Sequence, residues 1–79
     1  LFPSLLSKME INKDIELKKL GEKIKEVRKH LCLTQFDLGV RIDKDQQSIS
    51  RLEAGEINPS YIYLMEICKG LEVELKDIL

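Results

Sequence analysis

The chain has little with which to hold a metal: two cysteines, Cys32 and Cys68, and one histidine, His30. A structural zinc site wants four ligands at close spacings, so no metal site is expected. Two thiols far apart in sequence suit a reducing compartment. Long apolar runs are missing as well, none approaching the ~18 residues of a membrane helix. Leu1 to Leu6 is short and lacks a basic leader, so neither a membrane partner nor a secretory signal is expected, and a cytoplasmic location follows. Nor is there a catalytic set, since His30 has no nucleophile beside it and the acidic residues are scattered over polar faces. No catalytic residues, cofactor or small-molecule ligand are expected. Finally, a chain of 79 residues has room for one small domain, burying only about 60% of the surface its unfolded form exposes.

Net charge is also small, −1, yet it is unevenly placed. Residues 1–31 hold eight Lys/Arg against five Asp/Glu, whereas 32–79 hold five against nine, six of those nine lying in 53–79. A basic first helix and an acidic far end fit a nucleic-acid face backed by a protein-contact face; a solvated mixture of charges is the plainer alternative.

The apolar pattern predicts an all-α domain of five helices. Leu17, Leu20, Ile24, Val27 and Leu31 recur at intervals of three and four, giving one face of a helix from Ile15 to Leu31. Its other face carries Lys18, Lys19, Lys25 and Lys29, suited equally to solubility and to phosphate contact. Gly21 inside it costs up to ~1 kcal/mol relative to Ala and so points to a close approach by another element. Thr34, with Asp37 three residues on, starts a helix over Gln35 to Arg41. Asp45 starts another over Gln46 to Ala54, closed by Gly55. Ser60, after Pro59, caps a fourth with Tyr61, Leu64, Ile67, Cys68 and Leu71 inward, and a short fifth runs from Glu74 to Leu79. The expected core is Ile24, Val27, Leu33, Leu38, Ile42, Ile49, Leu52, Leu64, Ile67, Leu71 and Val73. Residues 15–79 form the domain. Residues 1–14 are an extension in which Met9 reads as a natural start, Leu1 to Lys8 being a remnant or an arm that packs on the domain or on a second chain.

Two short helices joined by the turn Ile42 to Lys44 make a helix-turn-helix. With Ile49 and Leu52 inward, Gln46, Gln47, Ser50 and Arg51 share the outer face of the second of them. Those side chains match base edges: a Gln amide pairs with the donor and acceptor of adenine, and Arg with the two acceptors of guanine.

The same residues carry a family resemblance. Leu33-Thr34-Gln35, Asp37-Leu38-Gly39 and Ile49-Ser50-Arg51-Leu52-Glu53, closing at Gly55, resemble the small helical DNA-binding domain of phage repressors and xenobiotic-response-type regulators. The likeness extends to Leu20-Gly21 and Val27-Arg28 upstream and to Asn58-Pro59-Ser60 and Leu71-x-Val73-x-Leu75 downstream. Two departures stand out: Cys32 replaces the usual Gly or Asn after the first helix, implying a left-handed backbone, and Asp43 replaces the glycine of the turn. Phe36 stands where the family has an acidic residue, and Ala54 where it often has a polar one.

The resemblance implies base contacts by Gln46 and Gln47 with Arg51 one turn on, and base or phosphate contacts by Ser48 and Ser50. It implies backbone contacts by Thr34 and Gln35 at a helix N-terminus, aided by Arg41 or Lys44. Arg28 and Glu53 are expected to form an ion pair, structural more than functional, that locks the first helix against the end of the recognition helix and holds Arg28 near the phosphates. The expected function is a sequence-specific regulator that binds double-stranded DNA as a homodimer, of the small repressor, restriction-modification controller or antitoxin kind. Ile57, Ile62, Tyr63, Leu75 and Leu79 remain as apolar residues for a two-fold interface. A protein-interaction module that keeps the fold without binding DNA is the alternative, favoured by the acidic 53–79 segment.

Overall fold

The computed structural model describes residues 10–79, so the readings of Leu1 to Lys8 lie outside the described residues. Helix α1, Lys13–His30, starts two residues earlier than its apolar pattern because the Asn12 side chain accepts a hydrogen bond from the Ile15 amide at 3.2 Å. Asp14 and Glu16 in its first turn and Arg28, Lys29 and His30 in its last complement the helix dipole. Cys32 then takes a left-handed backbone, φ 59°, as its replacement of Gly or Asn implied.

Helix α2, Gln35–Ile42, opens with a reciprocal cap: the Asp37 amide donates to Thr34 Oγ1 at 3.0 Å and the Thr34 amide to Asp37 Oδ2 at 2.9 Å. Asp43 ends it at φ 58°, supplying the left-handed turn that leads to α3, Gln46–Glu53. The Ser48 amide donates to the Asp45 cap at 2.7 Å. Helix α4, Tyr61–Leu71, is capped by Ser60, whose Oγ accepts from the Tyr63 amide at 3.0 Å.

The expected fifth helix shrinks to a single 3-10 turn, Leu75–Asp77. Six residues offer little return for an α-helical nucleus, whereas the tighter turn closes at once and carries Ile78 into the core. Among the described residues there is no strand.

Ile24, Leu38, Ile49, Leu52, Ile67 and Leu71 are fully buried as expected, and Cys68 and Ile78 join them. Each such aliphatic side chain contributes roughly 1.5–3 kcal/mol on burial. Val27, Leu33, Ile42, Leu64 and Val73 pack around this centre half-buried. So do Ile57, Tyr63 and Leu75, three of the five residues expected at a two-fold interface. Tyr63, one turn before Ile67, points inward, while Tyr61, expected inward, is exposed.

α3 is held between α1 and α2. A side chain at Gly21 would run into the backbone carbonyls of Leu52 and Glu53, and one at Gly39 into that of Lys44. Both helices therefore approach α3 or its leading turn more closely than any other residue permits. Among the described residues no helix is long and apolar enough to cross a membrane.

Candidate nucleic-acid interface

Helix α3 turns by 100° per residue, and Ile49, Leu52 and Glu53 point into the domain. Gln46, Gln47, Ser50 and Arg51 are exposed, and Ser48 is half-buried at the edge. The helix therefore presents a polar ridge of amide, hydroxyl and guanidinium groups on a buried apolar footing.

That footing is fixed by a polar lock. Arg28 of α1, only 6% exposed, donates through Nε to Glu53 Oε2 at 2.6 Å and through Nη2 to Glu53 Oε1 at 2.9 Å. Its Nη1 donates to the Leu33 carbonyl at 2.7 Å, and Gln35 Nε2 donates to Glu53 Oε1 at 3.1 Å. One carboxylate thus ties the end of α1, the start of α2 and the end of α3. The hydrogen bonding that Arg28 donates to Glu53 raises its pKa above the ordinary value despite the opposing effect of burial, so the guanidinium stays charged. Arg28 thus forms the expected ion pair and locks α1 against the end of α3, with its guanidinium turned into the domain. Gln35 is similarly half-committed, its amide nitrogen on Glu53.

Arg41 is engaged elsewhere. Its Nη1 donates to the Gly70 carbonyl at 2.9 Å and lies 3.3 Å from Glu72, closing the C-terminal end of α4. Lys44, the other basic residue expected to assist at the backbone, is exposed. Its ammonium sits 5.1 Å from the centre of the Tyr63 ring, within cation–π range.

Two depressions flank the α3 ridge. One is lined by Gln35, Asp45, Gln46, Gln47 and Ser50, at the amino end of α2, where Thr34 is exposed. The other, about 130 Å³, is lined by Lys44, Ser48, Arg51, Ile57 and Tyr63. Arg51 there lies 3.7 Å from Glu56, an exposed pair that holds it weakly. Burial, with Glu66 and Asp45 nearby, pushes the Tyr63 hydroxyl upward in pKa, so it stays neutral. Lys18, Lys19 and Lys29 are exposed on α1, and Lys19 pairs with Glu16 at 3.6 Å. Phe36 remains exposed on α2, with Val40 one turn later.

The helix-turn-helix family model matches residues 24–78, from the second half of α1 through the 3-10 turn. The chain belongs to the helix-turn-helix family. Among relatives of this helix-turn-helix chain is the HTH-type transcriptional regulator YgzD of Bacillus subtilis, 29% identical over 59 residues that make up 75% of this chain and 89% of that protein. Among solved structures it resembles the restriction-modification controller protein C.AhdI from Aeromonas hydrophila, with a TM-score of 0.80 at 23% identity over 82% of this chain and 98% of that one. The controller likeness supports the all-helical fold.

Sequence reasoning missed the inward turn of Tyr63 beneath Lys44. Helical period alone did not decide it, because Tyr61 stands three residues before Leu64 and seven before Cys68 while Tyr63 stands four before Ile67, so both spacings return to the inner face.

Proposed function

We propose that this helix-turn-helix protein is a sequence-specific DNA-binding transcriptional regulator, acting in the cytoplasm, that lays α3 in the major groove. The observation that carries the reading is the ridge of Gln46, Gln47, Ser50 and Arg51 on a helix whose inner side is fixed by Ile49, Leu52 and the Arg28–Glu53 lock. Gln46 and Gln47, on the first turn, read base edges, where a bidentate amide suits adenine. Thr34 and the free oxygen end of Gln35 stand at the amino end of α2, beside the first backbone. Residues 15–79 are the DNA-binding unit. The name of the Bacillus relative supports the regulatory class.

One such domain spans a half-site, and useful affinity calls for a second copy about one helical turn away. We place the two-fold contact on the exposed face of α4, where Ile62 is joined by Tyr61 and Met65, and on the exposed Leu79.

The test is selection of bound sites from a random duplex pool. Enrichment of a two-fold related sequence is expected. Retention of all sequences alike, or none, would instead favour a protein-interaction module.

A further inference from the structure

Tyr63 is expected to do nothing in recognition if it is only a core residue, yet three features set it apart. Its hydroxyl is fully buried with no hydrogen-bond partner, so nothing in the domain uses the oxygen. Its ring lies under the Lys44 ammonium at 5.1 Å. And it forms, with Lys44, Ser48, Arg51 and Ile57, the depression on the side of α3 opposite the amino end of α2. A duplex that takes a helix into its major groove presents one sugar-phosphate backbone on each side of that helix. The depression by Gln35 faces one of them; the Lys44 depression faces the other.

Resting on the DNA-binding reading above, we propose that Lys44 and Ser48 form a second backbone-phosphate site, on the strand opposite the one met by α2, and that Tyr63 is the positioning residue that holds Lys44 there. A lysine on a flexible stem loses rotamer freedom when it binds a phosphate. The ring face meets part of that cost beforehand by keeping the ammonium over it without forming an ion pair that would compete with the phosphate. Asp45 is occupied as the cap of α3, accepting from Ser48, Glu56 lies by Arg51, and Glu66, whose charge reaches Tyr63, makes no ion pair with Lys44.

Affinities of the wild type, Lys44→Gln, Tyr63→Leu, Tyr63→Phe and the Lys44→Gln/Tyr63→Leu pair are measured on a pool-selected duplex and on a mixed-sequence duplex over a salt series, with circular dichroism melts to follow folding. Lys44→Gln should make the slope of log affinity against log salt shallower by about 0.9 on both duplexes, leaving their ratio unchanged. Tyr63→Leu should move the slope the same way, Tyr63→Phe should restore it, and the pair should be no shallower than Lys44→Gln alone. In nuclear magnetic resonance spectra the Lys44 side-chain methylenes should be shifted upfield by the ring in the wild type and Tyr63→Phe, and unshifted in Tyr63→Leu. Wild-type binding with an unchanged slope in Lys44→Gln, or unshifted Lys44 methylenes in the wild type, overturns the proposal while leaving DNA binding intact. A wild type that binds neither duplex overturns the DNA-binding reading and this one with it. Should Tyr63→Leu not fold, the Lys44→Gln slope and the wild-type and Tyr63→Phe spectra still decide.

Discussion

Arg28 and Glu53 lie 25 positions apart in the chain and meet side by side, fork to carboxylate, beneath the recognition helix. Because both are buried, removing one leaves the other without compensation. Glu53→Ala should lose about 3–5 kcal/mol of stability in urea unfolding, and Arg28→Met with Glu53→Leu should recover most of it, since apolar replacements remove both desolvated charges. A single-variant loss below about 1 kcal/mol would mean that water reaches the pair in solution.

Gly21→Ala tests the closeness of α1 and α3. In an exposed helix this change gains up to about 1 kcal/mol. Here the added methyl meets the Leu52 and Glu53 carbonyls, backbone atoms that cannot rotate away. A net loss of roughly 1–3 kcal/mol is expected, read from the same urea midpoint. A gain would show that the two helices sit further apart.

Acid should loosen the amino ends of α2 and α3. Hydrogen bonds from the Thr34 amide and hydroxyl region and from Ser48 hold the Asp37 and Asp45 carboxyls below their ordinary pKa. A depressed folded value stabilises above the unfolded aspartate range near ~4 and is lost as pH falls through the lower folded value. Melting temperature should therefore fall on acidification below about pH 4. Asp45→Asn, which keeps a capping oxygen without the charge, should remove part of that fall. An identical acid profile in the variant would separate Asp45 from the effect.

Gln47→Ala should lose about 1–3 kcal/mol of preference between selected and scrambled duplexes with little change on the scrambled one, because base contacts carry sequence and phosphate contacts carry position. Equal weakening on both, in a binding titration at fixed salt, would remove Gln47 from the reading surface.

Ile62→Glu should leave the melting temperature near wild type, since the side chain is 66% exposed, while shifting sedimentation toward monomer and weakening operator binding. A dimer that persists unchanged would move the two-fold contact off α4.

The starts of α2, α3 and α4 were readable in the sequence, from Thr34 and Asp37, from Asp45 and from Ser60, because capping is a contract between residues two or three apart; that of α1 was not, since its apolar pattern begins at Ile15 and the Asn12 cap lies before it. The left-handed turns at Cys32 and Asp43 were readable from the family resemblance, where both replace residues suited to that backbone, and the outer faces of Gln46, Gln47, Ser50 and Arg51 follow from the period of a single helix. Tertiary structure alone decided the rest. Which of Tyr61 and Tyr63 turns inward depends on how α4 meets the core. Ile78 is buried because the last 3-10 turn folds back onto it, and Arg28 is spent on Glu53 and the Leu33 carbonyl because three elements converge there. Local hydrogen bonds are written in neighbouring residues, but the partner of a side chain across 25 positions is set only when the helices close on one another.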